Sequence, residues 1–326
     1  MESSMPEISN SKTISVIIPV FNREKTLPRL FDSLTHITYR PLEIILIDNQ
    51  STDSSQTLCK AFQAGEYFLK EQLKEQLTII TASESQPGAC AARNCGITLA
   101  HGDFLFFFDS DDEISPDFFE DLAPYLPKYD LICAPTRMCF ENGIQKTRAC
   151  VPTDHPYDQI LSASLSTQSF IIRKDFLESI GCWDTHLLRW NDWELGVRIL
   201  CHQPRLKWFP KKAYHVIYQH TKSISGKSFS EDSDSLLKSL EKATYDIQHS
   251  SLPMKIKQKS FNALAGKHLL LAAHIHNEGN RELAHKIYNI GISQCQSPIF
   301  KKEASLLYSL ARWRVPRIWK LLLYFI

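Results

Sequence analysis

The chain has 326 residues, enough for one large domain or two of ordinary size. Its 43% hydrophobic, 11% aromatic and 22% charged residues supply a globular core and exclude the disordered, collagen-like and coiled-coil classes. Lys+Arg 37 against Asp+Glu 36 leave a formal charge of +1, which is no footprint of a nucleic-acid partner.

The opening MESSMPEISNSKT is polar and acidic, unlike a signal peptide, and residues 1–12 are expected to be disordered. Ser15–Val20 is a β-branched apolar run, the mark of a strand buried on both faces. Leu27, Leu30, Phe31 and Leu34 then share one helical face. Glu43–Asp48 reads as a second strand, followed by N-cap candidates Ser51, Thr52 and Asp53 for a helix through Leu58 and Phe62. Leu77–Thr81 is a third strand, Ala89–Ala100 a third helix capped by His101-Gly102, and Phe104–Phe108 a fourth strand. Ser115-Pro116 has the form of a helix start. This alternation predicts an α/β fold with an open, mostly parallel sheet flanked by helices.

Beyond it, Asp130–Ala134 and Gln168–Ile172 read as strands separated by a polar, Pro-containing stretch. Phe176–Ile180 and Asp192–Cys201 read as helices, and Lys207–Phe209 and Tyr214–Tyr218 as short strands. After about Ser230 the pattern is helical only, with a turn at Gly279-Asn280, which predicts a C-terminal all-helical appendage. The expected division is a catalytic α/β domain over 13–230 and a helical region over 231–326. No run approaches the ~20 apolar residues that span a bilayer. The nine cysteines, odd in number and without a C-x-x-C pair, read as reduced packing residues of a cytoplasmic protein.

In such a sheet, ligands bind beyond the carboxyl ends of the strands. No glycine-rich phosphate loop follows the first strand, which disfavours hydride transfer and P-loop hydrolysis. The second strand ends in Asp48-Asn49 and the fourth in Asp109-Ser110-Asp111-Asp112. Carboxylates this close raise one another's pKa unless a cation neutralises them. A hard divalent ion, Mg2+ or Mn2+, held together with a diphosphate satisfies that need; a solvated acidic loop is the alternative.

The segments SVIIPVFN, EIILIDNQSTDSS and GACAARNCGITLAHGDFLFFFDSDD, continuing through SFIIRKDFLESIGCWD and WNDWELGVRIL to YHVIYQHTKSIS, resemble glycosyltransferase family 2. The resemblance implies a GT-A fold and transfer of a sugar from a nucleotide donor with inversion. It assigns Pro19, Phe21 and Asn22 to the base and ribose pocket. Asp48 and Asn49 stand where the family has an Asp-Asp pair whose second member contacts uracil; Asn at that place carries no charge. Arg93 and Asn94 fall near the donor phosphates, and Asp109 and Asp111 at the ribose and metal-diphosphate. Asp111, Asp112 and His220 are the implied metal ligands, and Asp192, preceded here by Asn191, the general base. Independently of the family, an acceptor hydroxyl must lose its proton as it attacks, and a carboxylate can take it. Glu194 is a second carboxylate close by, a fallback base.

The tail 311–326 mixes four cations with a very apolar end. It suits the surface of an anionic bilayer at the inner membrane face, or docking as a last core helix. The expectation is an inverting, metal-dependent glycosyltransferase using a UDP-sugar and a glycan or lipid-linked acceptor in surface polysaccharide synthesis. Its rivals are a nucleotidyltransferase that makes such a donor and a non-catalytic partner protein with a decayed site.

Overall fold

A computed structural model describes residues 11–67, 76–148, 150–209, 212–219, 228–295 and 298–313. Residues 1–10, His220 and 314–326, which carry the expected disordered start, a metal ligand and most of the tail, lie outside the described residues. The chain forms two compact units. The first contains the residues up to 138, Phe170–Ser179 and Arg205–Tyr218; the second contains Cys139–Ser169, Ile180–Pro204 and the residues from 219 onward.

In chain order the elements are β1 (Ile14–Val20), α1 (Leu27–Thr35), β2 (Leu42–Asp48), α2 (Ser55–Gln63), β3 (Leu77–Ser83), α3 (Ala89–Leu99), β4 (Phe104–Phe107) and α4 (Phe118–Leu122). Then follow β5 (Leu131–Cys133), β6 (Thr136–Phe140), β7 (Gln145–Arg148), α5 (Pro156–Ser162), β8 (Phe170–Arg173), α6 (Lys174–Ser179), α7 (Asn191–Cys201), β9 (Leu206–Trp208) and β10 (Tyr214–Gln219). The last four are α8 (Ser233–His249), α9 (Met254–Asn277), α10 (Arg281–Gln294) and α11 (Pro298–Arg312).

The first unit is built on a seven-stranded sheet ordered β3-β2-β1-β4-β8-β5-β9. β1 lies parallel to β2 and β4, and β8 runs antiparallel to both β4 and β5. Both faces of β1 and β2 are buried, which explains their unbroken apolar sequences. On one face Phe31 of α1 stacks on Phe62 of α2 at 4.3 Å, and Phe106 of β4 packs on Phe118 and Phe119 of α4. On the other, α3 comes so close that a Cβ on Gly96 would stand 2.4 Å from Ile17 Cγ2. At the amino ends of the strands, buried Ser15 donates to Glu43 at 2.5 Å, and Glu43 accepts the His101 N–H at 2.8 Å. That pair anchors the turn from α3 into β4.

The helix expected at Ser115-Pro116 begins at Phe118 instead. The Ser115 hydroxyl does not cap it; it accepts the N–H of His215, whose Nδ1 accepts the Ser115 N–H at 3.1 Å. Those partners lie 100 residues along the chain, so local sequence carried no sign of them. The stretch between β5 and β8 holds β6, β7 and α5, none of which its polar composition announced.

In the second unit Ile160 and Leu161 of α5 and Trp193, Val197 and Cys201 of α7 share one buried cluster with Leu236, Leu240, Leu264, Ala272 and Ile287 of the later helices. The helical region from 231 therefore completes a core that α5 and α7 begin. Gly196 lets α7 approach α5, since a Cβ there would meet the Gln159 side chain at 2.3 Å. Gly279, at φ +100, ends α9, and Asn280 caps α10 by accepting the Leu283 N–H at 3.1 Å. Glu278 accepts hydrogen bonds from Ser228, Phe229 and Ser230. These bonds outweigh the effect of burial and hold its carboxyl down at about 2. All nine cysteines are unpaired.

Candidate functional site

In the first unit β1, β2 and β4 point their carboxyl ends the same way, and the residues just beyond them form the candidate donor site. Pro19 is buried in β1 opposite Ile47, while Phe21, just past the strand, leaves 54% of its surface exposed. Asn22 sits at φ +51, a conformation Asn tolerates better than most residues. Its N–H donates to Ser51 Oγ at 3.0 Å and its Oδ1 accepts the Thr52 N–H at 2.8 Å. Asn22 thus ties the loop after β1 to the loop after β2. Of the expected caps for α2, Asp53 is the one engaged: its oxygens accept the N–H groups of Ser55 and Glu24.

Asp48 ends β2 almost wholly buried. Its Oδ2 accepts the Ser51 N–H at 3.3 Å, but its Oδ1 is buried with no hydrogen-bond partner among the described residues. Buried acceptors are nearly always satisfied, so this atom marks a place for a donor group that none of the described residues provides. Asn49 is different. Its Nδ2 donates to the carbonyls of Glu84 and Gln86 at 3.0 and 2.8 Å, and its Oδ1 accepts the Gly88 N–H at 2.7 Å. The amide is a three-bond staple that holds the loop leading into α3. A carboxylate in its place would turn both donors into acceptors facing carbonyls. The Asn49→Asp variant is expected to lose about 2–3 kcal/mol and to unfold at a clearly lower midpoint in thermal denaturation.

Beyond β4 each carboxylate has its own partner. Asp109 accepts from Arg93 Nη2 at 2.9 Å, where Arg93, on α3, is buried and Asp109 is partly open to solvent. Asp111 pairs with Arg23 at 3.3 Å, and Asp112, only 3% exposed, accepts the Tyr218 N–H at 2.7 Å. Glu113 pairs with Arg29 and accepts the Tyr218 hydroxyl at 2.7 Å, and the Arg29 guanidinium lies 3.7 Å over the Tyr218 ring. Like-charge repulsion in this loop is thus relieved by arginines and a backbone N–H. Sequence reasoning missed Arg23, Arg29 and Tyr218; the position of Arg23 next to Phe21-Asn22 was the one available signal. Asn94 lies half-buried on α3 one residue past Arg93.

Among the described residues no three His, Cys, Asp or Glu side chains converge as a metal cage. A Mg2+ or Mn2+ that works with a diphosphate needs no such cage: one or two carboxylates plus phosphate oxygens suffice. The partly exposed carboxylates of Asp109 and Asp111 fit that donor set; Asp112 is 3% exposed and has one oxygen taken up by the Tyr218 N–H.

In the second unit Trp190 at φ +55 turns the chain into α7. Asp192 lies in the first turn, half-buried, with Oδ1 accepting the Trp193 N–H at 2.8 Å. Its Oδ2 has no hydrogen bond from the described residues. Trp193 Nε1 donates to the Ile160 carbonyl at 3.0 Å, which fixes the start of α7 against α5. Glu194, the fallback base, is fully buried and held bidentately by Arg198 at 2.8 and 3.1 Å. Burial pushes the Glu194 carboxyl up, and the guanidinium of Arg198 works against that push. Arg198 also donates to the Ile180 carbonyl at 2.7 Å. Glu194 is therefore a structural carboxylate, and Asp192 is the accessible one.

Residues 15–183 match the profile of Glycosyl transferase family 2, a stretch that ends before Asp192. The chain is 32% identical over 120 residues to glycosyltransferase GlyG of Streptococcus pneumoniae, covering 37% of each chain. It is 27% identical over 190 residues to the minor teichoic acid biosynthesis protein GgaB of Bacillus subtilis, covering 54% of this chain and 20% of that protein. It thus spans well under two thirds of the length of these relatives. Among solved structures, S. aureus TarS 1-349 in complex with UDP-GlcNAc superposes with a TM-score of 0.58 at 18% identity, covering 87% of this chain and 89% of that one. The strand order, helices on both sheet faces and that superposition are those of the GT-A fold. Over half its length, and in every strand of the seven-stranded sheet except the short β9, the chain belongs to glycosyltransferase family 2.

Proposed function

We propose that this protein is an inverting glycosyltransferase that moves a sugar from a UDP-sugar to a hydroxyl of a surface glycan or lipid-linked acceptor. The observation that carries the donor half is the buried Oδ1 of Asp48 at the carboxyl end of β2, which has no hydrogen-bond partner among the described residues. It stands in a loop cluster that also offers the exposed Phe21 ring as a stacking surface and the carboxylates of Asp109 and Asp111. In this reading Asp48 accepts from the nucleoside, Phe21 and Asn22 border it, and Arg93 and Asn94 lie toward the phosphates. Asp109 and Asp111 would hold Mn2+ or Mg2+, which when bound offsets the charge of the departing diphosphate.

The base in this reading is Asp192, in the first turn of α7. Oδ2 of Asp192 takes the proton of the acceptor hydroxyl as its oxygen forms a bond to the anomeric carbon. The bond from that carbon to the diphosphate breaks with its electron pair on the phosphate, and the configuration inverts. Family membership and the named role of GgaB in teichoic acid synthesis support an acceptor destined for the cell surface. The same reading keeps the enzyme in the cytoplasm at the inner membrane face, attached through the basic and aromatic tail 311–326. No helix among the described residues is long and apolar enough to cross a membrane.

Thermal unfolding with UDP, GDP, CDP and ADP, each with and without Mn2+, tests the donor assignment. UDP with Mn2+ at ~100 times its dissociation constant is expected to stabilise the protein by ~2.7 kcal/mol, a rise of several degrees, with little effect from the other nucleotides. Equal shifts with all four, or none with any, would overturn it.

A further inference from the structure

Arg93, Arg29 and Arg23 meet the acidic side chains that follow β4, and each is held differently. Arg93 is buried on α3, with its Nη2 2.9 Å from Asp109. Arg29 is clamped: it pairs with Glu113, lies 3.7 Å over the Tyr218 ring and donates to the Asp111 carbonyl. Arg23 is held mainly by its own loop. Its Nη1 donates to the carbonyls of Phe21 and Asn22 at 3.2 and 3.3 Å, while its Nη2 stands 3.3 Å from Asp111 Oδ2. The guanidinium therefore keeps acceptors if it leaves the carboxylate. The backbone around it is pinned. Ser55 Oγ accepts the Arg23 N–H at 2.7 Å, and Thr26 Oγ1 donates to the Ser110 carbonyl at 3.0 Å, which fastens this loop to the one carrying Asp111. A rival for Asp111 thus has to displace a side chain only, from a pair that is 38% and 27% exposed.

A divalent ion on the Asp111 carboxylate and a guanidinium beside it are like charges drawing on one negative charge. We propose that Arg23 competes with the divalent ion for Asp111, and that a nucleoside diphosphate relieves the competition by accepting hydrogen bonds from the displaced guanidinium. Arg23 then makes the two ligands depend on each other. The ion is held weakly until a diphosphate is present, and the diphosphate gains a second cation beside the ion. This rests on the reading of Asp109 and Asp111 as the place of the ion and the donor diphosphate. It adds Arg23 to that site as a residue that positions the donor and sets the affinity for the ion.

Titration of the purified protein with Mn2+, followed by the electron paramagnetic resonance of the free ion, tests this without turnover. Without nucleotide, Arg23→Gln is expected to bind Mn2+ roughly three- to tenfold more tightly than the wild type; loss of a partly exposed pair alone accounts for up to about fivefold. The factor by which UDP tightens Mn2+ binding should fall at least as much, because the diphosphate has lost its second cation. Arg23→Lys keeps a cation that can reach Asp111 and should stay near the wild type. Lys25→Gln removes an exposed cation two residues away and should change little, which separates this pair from a general loss of positive charge. The unfolding midpoint of each variant reports whether it is folded. Unaltered Mn2+ affinity in folded Arg23→Gln overturns the proposal, as does an equal gain in Lys25→Gln. Mn2+ binding in the presence of UDP that is absent from the wild type, or undiminished in Asp111→Asn, overturns the metal site itself and the proposal with it.

Discussion

Asp192→Asn is expected to lower the rate of sugar transfer by ~10³-fold, the contribution typical of a positioned general base. The unfolding midpoint should stay within about 1 °C of the wild type. Asn keeps an oxygen that can accept the Trp193 N–H as Asp192 Oδ1 does at 2.8 Å, so the start of α7 retains its bond. What disappears is the basicity of Oδ2. The KM for the nucleotide sugar should hardly move while kcat falls, because the donor site in the first unit is untouched. Steady-state kinetics on the purified variant decides the matter, and wild-type turnover would remove Asp192 from the chemistry.

Arg198→Met is the second large effect, and it falls on stability. Arg198 is the bidentate partner of Glu194, which is wholly buried, and it also donates to the Ile180 carbonyl. Removing it strands a carboxylate and a carbonyl in the interior, at a cost of about 3–5 kcal/mol. With ~2 °C per kcal/mol for a chain of this size, the midpoint should drop by roughly 6–10 °C. Replacing both partners by apolar residues of similar volume, Glu194→Leu with Arg198→Met, should recover a good part of that loss, since no carboxylate is then stranded at 194 and Asp246, 3.9 Å from Arg198, keeps its ion pair with Lys242 at 2.5 Å. A double variant less stable than Arg198→Met alone would mean that the pair contributes more than mutual neutralisation.

The strands of the first unit were legible because both faces of β1 and β2 are buried, so their sequences are nearly unbroken apolar runs. The helices α1, α9 and α10 were equally plain from their apolar spacing and the Gly279-Asn280 turn. β6, β7 and α5 were not, since β7 is fully exposed and carries no apolar signature at all. The change to helix-only sequence after about Ser230 is real, but the packing unit reaches back to residues 139–169 and 180–204. Periodicity reports element type and says nothing about which elements share a core. At the site, the residue types beyond β2 and β4 were readable, whereas their partners were not. That Asn49 bonds to three backbone groups, and that Asp112 accepts the Tyr218 N–H, depends on segments 35 to 106 residues away.

Because the chain passes between the two units five times, neither has a continuous sequence. The apolar sides of α5 and α7 emerge from the ribosome well before α8 and α9, the helices that cover them, have been made. Until those later helices have been made the second unit cannot close its core, and its early apolar segments are open to aggregation in the meantime. A stop codon near residue 230 would accordingly leave sticky helices and an aggregating product, and the terminal helices could not be trimmed away to yield a minimal soluble enzyme.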